Sequence, residues 1–288
     1  MRPRRSVLYM PASNPRAIDK ARTLAADAVI LDLEDSVAPD QKGEARAQAV
    51  AAVAAGGFGR REVIVRVNGA DTPWGGPDLA AAATCGADAV LLPKVSDPDT
   101  LARAEAALAA AGAPEELRIW AMIETPRAIL RIDAIAARSE GGRLACFVLG
   151  TNDLAKETRA RMVPGRWTML PWLQTALAAA RAHGLDAIDG VFNDLADADG
   201  FRAECAQGRD LGYDGKTLIH PNQIAPANEI FAPPAHEVEA ARRVIAAFER
   251  PENAGRGVIT LDGRMVERLH AEMALRTVAL ADAIARAG

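Results

Sequence analysis

From Val7 to Ile219 the chain repeats one motif: a short apolar run, often β-branched, followed by a longer Ala-rich stretch carrying charges on one side. The runs fall at residues 7–9, 28–31, 63–67, 89–92, 118–123, 145–149, 186–189 and, more weakly, 215–219. None alternates with polar residues. Continuous apolar runs of this length suit parallel strands buried on both faces. Segments of helical length lie between most of them, at 15–26, 43–55, 99–111, 127–138 and 170–183. Eight strand candidates alternating with helices predict an α/β fold of the (β/α)8 TIM-barrel type. A doubly wound sheet also alternates, but no G-x-G-x-x-G follows the first strand. The nearest approach, Gly57-Phe58-Gly59, precedes a strand instead.

Beyond Ile219 the pattern changes. Pro221, Pro226, Pro233 and Pro234 lead into a helical stretch at 235–249, and a breaker segment fills 251–257. Residues 265–287 place Met265, Leu269, Met273, Leu275, Val278, Leu280 and Ile284 at mostly three- and four-residue spacings, which predicts a helix with an apolar stripe. The expected organisation is a catalytic barrel over residues 1–232 and a C-terminal helical extension over 233–288. From pattern alone the extension is either a lid or subunit contact, or a helix packed on its own barrel.

Composition narrows the classes. With 288 residues, 50% hydrophobic and 25% charged, the chain is an ordinary globular protein able to bury a large core. Its 34 Lys+Arg against 38 Asp+Glu give a net charge of -4, and aromatics are 4% of residues. No global positive field and few stacking platforms argue against a nucleic-acid partner. The apolar run after the basic N-terminus, Val7 to Met10, is too short for a signal core, and no stretch is long enough for a bilayer span. Cys85, Cys146 and Cys205 form no C-x-x-C pair, and Cys146 and Cys205 read as core residues. The expectation is a cytoplasmic protein with no membrane partner.

In TIM barrels chemistry gathers where strands end. After the second run come Asp32, Glu34 and Asp35; the third carries Arg66 and Asn68; the fourth ends in Pro93-Lys94; the fifth ends at Glu124, the sixth at Asn152-Asp153, the seventh at Asp189 and the eighth at His220. Glu124 and Asp153 end neighbouring strands. Each alone reads better as a first-turn or capping carboxylate. As a pair, with Glu34 and Asp35 nearby, they suit a cation such as Mg2+, which is held by one or two carboxylates with water and substrate completing its shell. Arg66 interrupts an apolar strand. Facing inward it grips a carboxylate with two parallel hydrogen bonds; facing outward it snorkels past helices. Arg16 and Lys20 follow the first strand one helical turn apart, as either a phosphate site or ordinary surface charge. No H-E-x-x-H or G-x-S-x-G is present, and His220 reads as structural or mouth-lining.

Taken in order, RSVLYMPASNPRAIDKA, AVILDLEDSV, VIVRVNG, AVLLPKV, AMIETPRAI, LGTNDLA and DGKTLIHPNQI resemble the HpcH/HpaI aldolase and citrate lyase β-subunit-like family of CoA-ester lyases. The tail DGRMVERLHAEMALRTVALA resembles that family's C-terminal segment. The resemblance implies Mg2+ held by Glu124 and Asp153, with Arg66 and Glu124 at the substrate and Glu34 and Asp35 ordering metal-bound water. It places Arg16 and Lys20 where relatives meet the CoA nucleotide. It also implies a homo-oligomer, trimer or hexamer, whose C-terminal segment reaches a neighbour's active site. The implied reaction is cleavage of a 3-hydroxyacyl-CoA, such as malyl-CoA or citramalyl-CoA, to an acyl-CoA and a small 2-oxo acid such as glyoxylate. Hydrolysis of malyl-CoA, and a citrate lyase β-subunit role on a carrier-protein thioester, are the alternatives.

Two departures from the family pattern matter. Where lyases of the family commonly read Met-hydrophobic-Asp, this chain reads Met265-Val266-Glu267. Glu267 carries out the same proton transfer only if its extra methylene, a displacement of about 1 Å, is accommodated. Asn152 stands before Asp153 where many relatives carry Glu, and is expected to tune substrate choice.

Overall fold

Strands that are apolar on both faces need cover on both faces, and a closed barrel ringed by helices supplies it. The structure, a computed structural model, describes residues 2–287. β1 (Ser6–Pro11), β2 (Ala28–Asp32), β3 (Glu62–Arg66), β4 (Ala89–Leu92), β5 (Arg118–Ile123), β6 (Leu144–Leu149), β7 (Asp186–Asp189) and β8 (Gly215–Leu218) close into a barrel in chain order. All neighbours are parallel, and β8 pairs back with β1. The fold is therefore the expected TIM-type α/β barrel, followed by further helices.

Two compact units make up the chain. Arg4–Asn228 contains the whole barrel; the other comprises the residues from Glu229 onward with the first few of the chain. Inside the barrel, Val7, Ile30, Ile64, Leu91, Trp120, Met122, Val148 and Ile188 form one buried cluster. Side chains alternate along a strand, so residues two further on share that inward face. Asp32 follows Ile30, Arg66 follows Ile64, and Glu124 follows Met122. These three polar residues form the uppermost inward layer.

The helices differ locally from the sequence expectation. Residues 127–138 are not one helix: Pro126–Leu130 and Ile132–Ala136 are separated at Arg131, whose φ of -119° leaves the helical region. The expected continuous helix over 265–287 is corrected as well. Val258–Leu261 (β9) and Arg264–Glu267 (β10) form an antiparallel hairpin, and the helix begins only at Arg268. Its turn is Asp262-Gly263, both at positive φ (52° and 75°), the geometry that an Asp-Gly pair favours between two strands. The β-branched Val258, Ile259, Thr260 and Val266 outweigh the three-and-four spacing of the apolar residues. Within this unit Ala247, Phe248 and Ile259 are buried among Val244, Leu261, Val266 and Ala271. Met265, Leu269, Met273 and Leu275 are exposed.

Candidate active site

Strand register builds the site. In the β2–β3 ladder Asp32 is directly opposite Arg66, so a carboxylate and a guanidinium meet on the same inward layer. Arg66 Nε donates to Asp32 Oδ1 (2.6 Å) and Nη2 to Asp32 Oδ2 (2.7 Å), a two-point grip. Nη1 pairs with Glu34 Oε2 at 2.8 Å and with Asp35 Oδ2 at 3.4 Å. The guanidinium also lies over the Tyr9 ring, 4.9 Å from its centroid. Arg66 is 6% exposed and faces inward, which excludes the outward, snorkelling arrangement. Its two-point edge is committed to Asp32; Nη1 is the donor directed at the loop acids.

Glu124 is buried and is not a helix cap. Thr125 is the cap of the following helix, its hydroxyl accepting from Ala128 N at 3.0 Å. Glu124 Oε1 accepts a 2.7 Å hydrogen bond from the backbone N–H of Lys94. Lys94 has φ of 50°, a left-handed conformation that L-residues adopt at a cost of roughly 1–2 kcal/mol. That turn aims the amide at the carboxylate. Across the sheet, Gly150 leaves room: a Cβ there would come within 2.5 Å of the Glu124 Cβ and nearer still to Oε2. Asp153 sits half-buried in the first turn of helix Thr151–Thr158.

The electrostatics are unbalanced toward negative charge. Burial, then the neighbouring Glu34 and Asp153, push the Glu124 carboxyl up to about 8 despite the Lys94 hydrogen bond. Burial, opposed by Arg66 and helped by Asp35 and Asp32, pushes Glu34 up to about 7. Asp32 goes the other way. Its burial is overcome by Arg66, which holds it below the usual carboxylate range. Arg66 absorbs Asp32 fully, and with Lys94 it only partly offsets the other acids.

A cavity of about 400 Å³ opens over this layer, lined among others by Tyr9, Arg66, Glu124, Thr151, Asn152 and Asp153. Tyr9 Oη and Thr151 Oγ1 are buried there without a hydrogen-bond partner. Buried polar atoms are rarely left so, and their presence marks where a polar ligand or water belongs. Among the described residues no cluster of three or more His, Cys, Asp or Glu is arranged as a metal cage. A two-carboxylate site for Mg2+ is not such a cage, since that ion keeps several waters. The hard oxygen donors of Glu124 and Asp153, the uncompensated negative charge and the orphaned hydroxyls fit it.

The remaining candidates lie elsewhere. Arg16 and Lys20 are exposed on the short helix Pro15–Ala21 and do not line the cavity. His220 caps the turn after β8, its Nδ1 accepting from Asn222 N at 3.2 Å. Glu267 belongs to the other compact unit, where it ends β10, and its N–H donates to His270 Nδ1 at 2.9 Å. Sequence reasoning passed over Tyr9, read simply as part of a strand, and Lys42, whose Nζ donates to the carbonyls of Leu33 (2.8 Å) and Glu34 (2.7 Å) and pins the acidic loop. Neither carries a motif. The one legible signal for Tyr9 was an aromatic hydroxyl in an otherwise apolar run.

Comparison with known proteins gives the family. Residues 5–221 match the model of the HpcH/HpaI aldolase/citrate lyase family. The chain is 51% identical over 283 residues to a (3S)-malyl-CoA thioesterase of Cereibacter sphaeroides (strain KD131), covering 98% of this chain and 96% of that protein. It is 36% identical over 290 residues to the L-malyl-CoA/beta-methylmalyl-CoA lyase of Cereibacter sphaeroides (strain ATCC 17029), covering 92% and 91%. Among solved structures, the protein CitE from Mycobacterium tuberculosis, in complex with magnesium, acetoacetate and coenzyme A, superposes with a TM-score of 0.73 at 30% identity over 95% of this chain and 97% of that one. The chain is an enzyme and belongs to the HpcH/HpaI aldolase/citrate lyase family, named for work at carbon–carbon bonds.

Proposed function

We propose that the chain is a Mg2+-dependent thioesterase that hydrolyses (3S)-malyl-CoA or a closely similar short hydroxyacyl-CoA to the free acid and CoA. The observation that carries this reading is the 51% identity over 98% of the chain to a malyl-CoA thioesterase, against 36% to the malyl-CoA lyase. Carbon–carbon cleavage, which motif reading put first, becomes the second reading.

In this proposal Glu124 and Asp153 hold the metal, which supplies Lewis-acid polarisation and charge neutralisation at the hydroxy-acid end of the substrate. Arg66 binds the substrate carboxylate through Nη1, the arm that Asp32 does not occupy. Asp32 fixes the orientation of that arm. Glu34 and Asp35 share it in the absence of substrate and order water beside it. Arg16 and Lys20 meet the nucleotide phosphates of CoA. Glu267 accepts the proton of the attacking water in hydrolysis; in the cleavage reading the same carboxyl protonates the departing thioester enolate. The exposed Met265, Leu269 and Met273 support a subunit contact, and the proposed assembly is a homotrimer or hexamer. Among the described residues no helix is long and apolar enough to cross a membrane, and the three cysteines are free and buried, which supports a cytoplasmic setting.

The test follows two products. Purified enzyme with (3S)-malyl-CoA and Mg2+ is expected to release one free thiol per ester consumed, with no glyoxylate. Glyoxylate accumulating without free thiol would establish the lyase reading and overturn this one.

A further inference from the structure

The first turn of helix Thr151–Thr158, which follows β6, and the loop that follows β7 are tied together at their solvent end by two amides. Asn152 Nδ2 donates to Asn193 Oδ1 (3.1 Å), and Asn193 Nδ2 donates back to Asn152 Oδ1 (2.8 Å). Below them Gly190 packs against the Thr151 side chain and the end of β6. A Cβ on Gly190 would come within 2.5 Å of Thr151 Oγ1 and 2.9 Å of the Leu149 carbonyl oxygen, so this approach needs glycine. The half-buried Val191 lies in the same loop, between that contact and the amides in sequence.

A cavity lies on each side of this seam. One is the candidate active-site cavity, about 400 Å³. The other, about 460 Å³, is lined by Met162, Pro164, Arg166, Phe192, Glu204 and others. Val191 and Asn193 line both. The second cavity offers room with no surplus of positive charge, since Asp194 and Asp197 line it as well. Arg166 Nη1 is held by both oxygens of Asp189 (2.7 and 2.9 Å), and Lys216 Nζ by Asp189 (3.1 Å) and Glu204 (2.6 Å). Two cations and two anions cancel there in net charge, and Arg166 Nη2 is left without a hydrogen-bond partner, so the cluster exerts no net positive field on a substrate carboxylate. What the seam controls is size.

We infer that the Asn152–Asn193 pair, with Val191, is a specificity-determining partition that confines the hydroxyacyl group to the first cavity and so selects short, unbranched acyl chains over branched ones. The inference rests on the proposed CoA-thioester reading for its substrate class. Two neutral hydrogen bonds between exposed side chains hold a loop only modestly. The partition therefore opens by mutation without unfolding the barrel.

The variants Asn193→Ala, Asn152→Ala and Val191→Ala test it against malyl-CoA and esters carrying a methyl or isopropyl branch. Each variant is expected to raise the ratio of kcat/KM for the branched over the unbranched ester by about tenfold or more, the worth of a methylene or two in a fitted pocket. The change is expected in the KM of the branched ester, and Asn152→Ala/Asn193→Ala should match the single variants because the amides act as one unit. Calorimetry with Mg2+ and free malate, citramalate and 3-isopropylmalate supplies a readout independent of turnover, and the variants should bind the larger acids more tightly relative to malate. Wild-type ratios in both assays would overturn the partition. If the affinities shift as expected while wild-type enzyme leaves every CoA ester intact, the partition stands and the proposed reaction falls.

Discussion

β3 carries a buried charge at each end, and the two ends of the barrel treat theirs differently. At the lower end Glu62 receives Arg4 Nε and Nη2, both at 2.7 Å, while Arg4 Nη1 pairs with Asp186 and the guanidinium lies 4.9 Å from the Trp120 ring centroid. Every arm of that arginine is used. Four residues later Arg66 is equally well held by Asp32, yet it faces more acids than one cation neutralises, and Glu34 and Glu124 are pushed up to about 7 and about 8. The lower end is paired for stability. The upper end keeps a surplus of carboxylate that a cation at the proposed site would resolve, which is where a site differs from a scaffold.

The largest effect separating the two ends is expected at Glu124. Glu124→Gln should lower kcat/KM by about 10³-fold or more, since it removes a carboxylate of the proposed metal site, where a bound metal would be worth several kcal/mol at the transition state. Its melting temperature should stay at or above wild type, because the amide resembles the protonated acid that burial already favours. A melting temperature that falls along with activity would erase the proposed contrast. Glu62→Gln is the mirror experiment. Breaking a buried pair leaves Arg4 underused, and urea unfolding should show a loss of about 3 kcal/mol. The kcat/KM of the folded enzyme should remain within about twofold of wild type.

Much of this scaffold was legible because parallel barrel strands are buried on both faces and therefore appear as bare apolar runs, as at 28–31 and 89–92. The polar residues that end those runs could be picked out for the same reason: Arg66 and Glu124 break a hydrophobic context. Pairing across strands was not legible. That Asp32 meets Arg66 follows from the β2–β3 register, set by the helix Lys42–Ala55 and its loops, and no local pattern encodes it. The hairpin at 258–267 was hidden for a different reason. Met265 and Leu269 continue a helical spacing into the following helix, while the turn signal rests on two residues, Asp262 and Gly263.

The surplus at the upper end also sets the pH dependence. Glu34 and Glu124 are raised from the ordinary 4.5 to about 7 and about 8, so between these limits the folded protein holds protons that the unfolded chain has released. Their contribution to stability is complete below about pH 4.5 and is lost as pH rises through 7 to 8, a decline of up to several kcal/mol. Urea midpoints across this range should fall less in Glu34→Gln/Glu124→Gln than in wild type. In the proposed site a metal would compete with the proton on Glu124, so Mg2+ binding near pH 7 should release up to one proton per site, measurable by calorimetry in buffers of different ionisation enthalpy. Binding with no proton release would show that Glu124 is already ionised and that the acids at the mouth are better compensated than this arrangement implies.

The smallest expected effect isolates the strain at the upper end from its charge. Lys94 holds φ of 50° so that its N–H reaches Glu124, and its ammonium lowers Glu34 through the field. Lys94→Gly keeps the amide and removes both the steric cost and the charge. Relief of the left-handed strain should stabilise the fold by up to about 1 kcal/mol, less what glycine adds to the freedom of the unfolded chain. Loss of the ammonium should move the Glu34 titration upward, seen as a carboxyl resonance shifting at higher pH in labelled protein. Stability gained with an unchanged Glu34 titration would show that the turn at Lys94 serves only to aim its amide at Glu124, and that the side chain contributes nothing to the electrostatics of the mouth.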